Sequence, residues 1–310
     1  MPIRTRMYDV KIIVVCLYFF TGIFSARAGY ERLIPDEHTT STQTEAIRFI
    51  DSIKEVPPSA FWINIDPVQF LLNLKATIHQ PLSIYPGNST NFCGYGALTY
   101  LFLQDDPLGY TKLLLQLYSY GKARIGKIDF HPSEEIKLAA GRMKFKGSLD
   151  IHPAEQLWYL CLADHFKGYI NFFDHHYNPG DENTFWASVN YAKFNRMVRQ
   201  LLHYRVRARG SDLIRPRLGN TFDYITEKLN QGTVILYINN RILHKKKLDR
   251  IKLSIPTHFI VLQSLLRDSD TVTMTYWDYG SKTLRQIKSE FLMKIVFGVS
   301  CCTKKEANEK

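Results

Sequence analysis

The pattern of apolar and polar positions first becomes regular after Thr42-Gln43-Thr44-Glu45. This is a capping-box sequence, and Ala46, Ile47, Phe49, Ile50 and Ile53 follow it at helical spacing. Pro57-Pro58 closes that helix. Asp66-Pro67 opens a second, with Val68, Leu71, Leu72 and Leu74 expected on its apolar side. The stretch HQPLSIYPGNST reads as loop from its Pro, Gly, Asn and Ser content. Cys93 then begins an apolar helix through Leu103, and Asp106-Pro107 starts the next, LGYTKLLLQLY. From His131 to Asn230 the spacing predicts further helices, at HPSEEIKLAA, HPAEQLWYLCLADHF and TFWASVNYAKFNRMVRQLL.

The texture changes after Asn230. GTVILYIN, THFIVLQSLL, DTVTMTYWDY and KTLRQI are β-branched and aromatic runs broken by Gly, Asn, Asp and Lys, and they read as consecutive antiparallel strands. Helices first and strands later predict an α+β fold, with a helical lobe at about 40–230 packed on an antiparallel sheet at about 231–302.

Residues 1–28 stand apart from this pattern. A basic leader, the apolar run IIVVCLYFF and an Ala26-Arg27-Ala28 cleavage sequence predict a signal peptide. The run is shorter than the ~20 residues of a spanning helix. The expectation is an exported chain, periplasmic or secreted, with no membrane span after cleavage and one domain over 29–310. Apolar residues make up 45% and aromatics 13% of the chain, enough for a sizeable core.

Removing the leader lowers the formal charge from +11 to +8, because it carries Arg4, Arg6, Lys11 and Arg27 against Asp9. Much of the remaining excess lies between Lys193 and Arg217, where eight Lys/Arg face one acid, Asp212. Either this is a solvated face, or Arg196, Arg199, Arg205, Arg207 and Arg209 meet a polyanion such as cell-wall polymer or lipid head groups. No nucleic-acid-binding motif accompanies the segment, so nucleic acid is not expected.

Four cysteines follow the leader: Cys93, Cys161, Cys301 and Cys302. The adjacent pair lies ~3.8 Å apart at Cα, too close for an unstrained disulfide with each other. A bridge from Cys161 to one of them stays open. Cys93 is different, since a helix start favours a thiolate, and Gly94 and Gly96 are expected to leave its surroundings open to a substrate carbonyl. His258 opens one strand and Asp278 ends the next, so an antiparallel pair places both at one sheet edge. A thiol, an imidazole and a carboxylate that orients the imidazole are the groups thiol hydrolysis requires.

On NFCGYGAL, THFIVL and YWDYG the chain resembles the papain-like cysteine peptidase superfamily, in particular its bacteriocin-processing branch. The spacing from Cys93 to His258 is close to the ~130–150 residues of papain-type enzymes. The resemblance implies a two-lobe papain-like fold with an extra helical insertion, and a Cys93-His258-Asp278 triad acting on a peptide, a cell-wall-like substrate or another amide, with no cofactor and no metal. The glutamine that the family places shortly before its cysteine is missing here, which leaves Asn88 and Gln80 as candidates for the oxyanion donor, with Asn91 also near. Hydrolysis and acyl transfer use the same groups. The alternative class is a non-catalytic exported binding protein on the same fold, docking polyanions through the basic face.

Two other segments carry suggestive chemistry. Asp174-His175-His176 has metal-ligand residues, but the companion aspartates and histidine motif of DHH phosphoesterases are absent, so a polar loop is expected. HKKKLDRIK, from His244, reads as a charged connection between strands.

Overall fold

A computed structural model describes residues 40–87, 89–143, 151–166, 176–202, 204–243 and 255–305. The expected leader, Asn88, Asp174, His175 and HKKKLDRIK lie outside these residues.

Helix α1 (Gln43–Ser52) begins with the expected box: Glu45 N donates to Thr42 Oγ1 at 3.2 Å, and Thr42 N donates to the Glu45 carboxylate at 2.7 Å. Helix α2 (Pro67–His79) is capped by Asp66, which accepts from Gln69 N at 2.8 Å. Its buried stripe is Phe70, Leu71, Leu74 and Ile78, while Val68 and Leu72 are 62% and 53% exposed, against expectation. The largest side chain sets the rotation, because Phe70 stacks on Tyr118 at 4.1 Å between centroids. Helix α3 (Cys93–Asp105) and α4 (Pro107–Tyr120) follow, the second capped by Asp106 through Gly109 N. A small hairpin of β1 (Ala123–Ile125) and β2 (Ile128–Phe130) leads to α5 (Glu134–Ala139), α6 (Pro153–His165) and α7 (Tyr191–Leu201). Helix α7 starts only at Tyr191, where Asn190 caps it by accepting from Lys193 N at 2.7 Å; Thr184 to Val189 is not helical.

The rest is β3 (Tyr204–Gly210), α8 (Thr221–Leu229), β4 (Thr233–Ile238), α9 (Asn240–Leu243), β5 (His258–Asp268), β6 (Thr271–Asp278), β7 (Ser281–Lys288), α10 (Ser289–Ile295) and β8 (Val296–Lys304). Six strands form one antiparallel sheet in the order β3-β8-β4-β5-β6-β7.

Alternation along the strands divides this sheet between two cores. Ile235, Tyr237, Phe259, Val261 and Trp277 pack with the helices α1–α7, whereas Val234, Leu236, Ile238, Ile260 and Met274 pack with Ile225 of α8 and Leu292 and Ile295 of α10. Both faces are covered, which explains why β4 and the start of β5 read as nearly unbroken apolar runs. The molecule is mixed α+β, as expected, but the boundary at Asn230 does not separate helices from strands. β3 lies within the segment expected to be helical, because Tyr204-Arg205-Val206-Arg207 alternates with period two: Tyr204 and Val206 are buried and the arginines exposed. Helix α8 lies across the sheet from α1–α7, in the second core. β8, which no expected strand covered, is inserted between β3 and β4.

Candidate active site

Helix α3 is the buried axis of the helical side. Every residue from Gly94 to Leu103 is buried, so this helix is apolar around its whole circumference and packs against the sheet, where Tyr100 meets Trp277 at 5.3 Å. Its start is fixed by the loop ahead of it. Thr90 Oγ1 donates to the Pro86 carbonyl and accepts from Phe92 N, while Asn91 N donates to the Glu182 carbonyl and Asn91 Nδ2 to the Thr184 carbonyl, each at 2.8 Å. The Asn91 amide is thus occupied in holding the 182–184 segment and is not a free oxyanion donor. Ser89, on the same loop, lines a cavity of about 760 Å³ together with Tyr177 and Glu182.

Cys93 is the first residue of α3 and is only partly buried, whereas Cys161, Cys301 and Cys302 are buried; all four are free thiols. Burial pushes the Cys161 thiol well up, and burial with the neighbouring Cys301 pushes Cys302 up to about 12. These three are poor nucleophiles by environment. No side chain caps α3 at Phe92, so the first-turn N–H groups beginning with Cys93 are left for another acceptor. Gly94 and Gly96 serve a purpose other than the one expected. Both are buried: a Cβ on Gly94 would come within 2.7 Å of Val189 Cβ, and one on Gly96 within 2.9 Å of Pro86 Cγ. They let α3 approach its neighbours closely; they do not open the surroundings of the thiol.

His258 and Asp278 are buried at one end of the sheet, and His258 Nε2 lies 2.5 Å from Asp278 Oδ1. The other ring nitrogen, Nδ1, is buried with no conventional hydrogen-bond partner. It is the nitrogen left for the thiol, whose Sγ leans toward the Thr257 carbonyl at 3.9 Å. Burial disfavours the charged imidazole, but Asp278 and Cys93 beside it outweigh that and carry His258 from 6.5 up to about 10. The fold therefore brings Cys93 of α3, His258 of β5 and Asp278 of β6 together at one end of the sheet.

A fourth side chain belongs to this group and was not singled out in the sequence. Asp278 pairs with Ser281, so Tyr279-Gly280 is a two-residue hairpin turn, with φ of 43° and 78°. Such a turn suits Asn-Gly, and an aromatic residue with positive φ is uncommon. The Tyr279 ring stacks on His258, with centroids 4.6 Å apart and planes 17° from parallel. Burial and the nearby Cys93, Asp278 and Tyr85 raise its phenol well above the ordinary range.

No family model matches the chain, and no curated protein or solved structure matches it either.

Of the remaining candidates, Gln80 caps α2 and is exposed, with its backbone carbonyl accepting from Ser83 Oγ. The 81–84 segment after it packs on the β6–β7 turn: Trp277 Nε1 donates to the Leu82 carbonyl at 2.9 Å, and a Cβ on Gly280 would lie 3.0 Å from the Ser83 carbonyl. Arg196 and Arg199 are exposed on α7, and Arg205, Arg207 and Arg209 are exposed along β3 at the sheet edge. Lys193 is not part of this face, being buried with Nζ 2.7 Å from the Tyr95 hydroxyl. His176 is exposed, 3.9 Å from Glu135. Among the described residues no group of three or more His, Cys, Asp or Glu is arranged to hold a metal ion.

Proposed function

We propose that the chain is a thiol hydrolase of amide bonds, acting from a papain-like arrangement of Cys93, His258 and Asp278. The observation that carries this reading is the buried imidazole set between a carboxylate and the one thiol among the described residues that is not buried. In the forward step the Cys93 sulfur attacks the carbonyl carbon. The carbon–nitrogen bond breaks and His258 delivers the proton it took from the thiol to the departing amine. Water, deprotonated by His258, then cleaves the thioester and restores the thiol. Asp278 holds the ring in place and favours its charged form. The backbone N–H of Cys93 is one donor to the oxyanion, and Gln80 and Asn88 remain candidates for the second. The leader sequence supports an exported location for this chemistry.

An electrophilic peptide probe with adduct mapping tests the assignment. The expected adduct is on Cys93, lost in Cys93→Ala and spared from Cys161, Cys301 and Cys302. Labelling confined to one of the buried thiols would remove Cys93 as the nucleophile.

A further inference from the structure

The surface after β3 combines features that the proposed reaction does not use. Leu213 and Ile214 are 78% and 75% exposed, and Met293 of α10, 53% exposed, shares a cavity of about 380 Å³ with Arg215 to Gly219. Adjacent large aliphatic side chains on an ordered tip are unusual at a surface facing only water. The tip is indeed ordered. Ser211 Oγ accepts from Leu213 N and Ile214 N and donates to the Ile214 carbonyl, and Asp212 accepts from Tyr191 N at 2.8 Å. Arg215 fastens the far side, donating from Nε to the Lys294 carbonyl at 2.9 Å with its guanidinium over Phe297.

Cations surround the aliphatic pair. Arg207 and Arg209 precede it, Arg215 and Arg217 follow it, and Lys294 lies across the Arg215 bond. Glu290 pairs with Lys294 at 3.7 Å, and Asp212, the one acid between Lys193 and Arg217, is turned toward Tyr191 N, which leaves the arginines in excess. From these observations we infer that the 209–217 tip, with Met293, docks on an anionic lipid surface, inserting Leu213 and Ile214 while the arginines meet the head groups. Charge complementarity selects this occupant over an apolar protein groove, which would leave the arginines without counter-charges.

The register adds orientation. Gly210, Gly298, Tyr237 and Phe259 form one row across β3, β8, β4 and β5, so the tip leaves the sheet at the end where His258 sits, three strand spacings or about 14 Å away. If the proposed hydrolysis holds, its substrate is an amide presented at a membrane surface; the docking itself does not depend on that reading.

The test uses the full chain carrying Cys16→Ser, Cys93→Ala and Ile214→Cys, with a bimane label at 214, so that the signal comes from the tip and not from residues 1–39. Phosphatidylcholine vesicles containing phosphatidylglycerol should shift the label to the blue, and pure phosphatidylcholine should not. Neutralising Arg209 and Arg217 to Gln should raise the vesicle concentration needed by about tenfold or more, and added salt should act in the same direction. Unlabelled Leu213→Ser/Ile214→Ser should melt like the parent and lose tip-dependent vesicle binding by at least about tenfold. A label that stays in water on anionic vesicles overturns the proposal. So does an equal shift on both vesicle types, or a shift without lipid that follows protein concentration and marks self-association. Because Cys93 is absent, the outcome is independent of whether the thiol is catalytic.

Discussion

His258 stays charged to an unusually high pH because Asp278 and Cys93 flank it in a buried site. If the imidazolium protonates the leaving amine, the alkaline limb of kcat/KM should fall near pH 10. Asp278→Asn, which keeps a hydrogen-bonding group but drops the charge, should move that limb down toward 6.5 and leave partial activity, with Asp278→Ala worse. His258→Ala should abolish turnover and slow iodoacetamide alkylation of Cys93 at pH 6 by at least about tenfold, since an unassisted thiol titrates near ~8.5. A folded variant alkylated at the parent's rate would leave His258 a structural residue. Tyr279 invites a different comparison. Tyr279→Asn suits the positive φ but removes the ring that shields the His258–Asp278 pair, so the melting temperature should change little while the alkaline limb moves down. Parallel loss of stability and activity, with an unmoved limb, would make the tyrosine packing alone.

At the scale of elements, the close approach of α3 to its neighbours is the constraint most open to test. Gly94→Ala places a Cβ against the branched Val189 and should destabilise the protein by roughly 1–3 kcal/mol, and Val189→Ala should recover much of that loss in the double variant. Additive effects in chemical denaturation would show that the two positions do not meet. The elements also show how far the sequence could be read. Helix starts were legible at the Asp and Thr caps that preceded an apolar repeat, Thr42, Asp66 and Asp106, because capping is a local interaction, whereas the Asn190 start of α7 was not. Cys93, His258 and Asp278 were legible for a related reason, each lying at the end of an element that sequence pattern alone could place. Where the answer depended on distant packing, it was not legible. The rotation of α2 was decided by Tyr118, the glycines of α3 by Val189 and Pro86, and the stacking of Tyr279 by a turn type that its own residue disfavours. β3 went unrecognised because three arginines in alternation look like a solvated helix face unless the intervening Tyr204 and Val206 are weighed as one buried row.

Across the whole molecule, two buried groups tie stability to pH. Burial, only partly offset by hydrogen bonds from Tyr85 N, Thr77 Oγ1 and the His152 backbone N–H, raises the Glu155 carboxyl from 4.5 to about 8. The folded state therefore binds more protons than the unfolded chain at Glu155 between pH 4.5 and about 8, and at His258 between 6.5 and about 10. Both contributions are fully present below the lower value of each window and are lost as pH rises through the higher one. The melting temperature should decline from about pH 5 toward pH 10, and Glu155→Gln should flatten the acidic part of that decline while leaving the part above pH 8. A profile that rises over this range would contradict the assignment.

The position of β8 has a consequence for the order in which the protein comes into being. It is the last of the described strands, yet it sits inside the sheet, bonded to β3 on one side and β4 on the other. Until it has been synthesised and inserted, β3 has no partner strand and β4 presents an open edge beside the strand that carries His258. A nascent chain thus holds its thiol, imidazole and carboxylate in sequence well before it has the sheet that sets them in place. For the proposed hydrolase, completion of the fold would act as a timer, delaying thiol chemistry until synthesis has passed Lys304 at the end of β8.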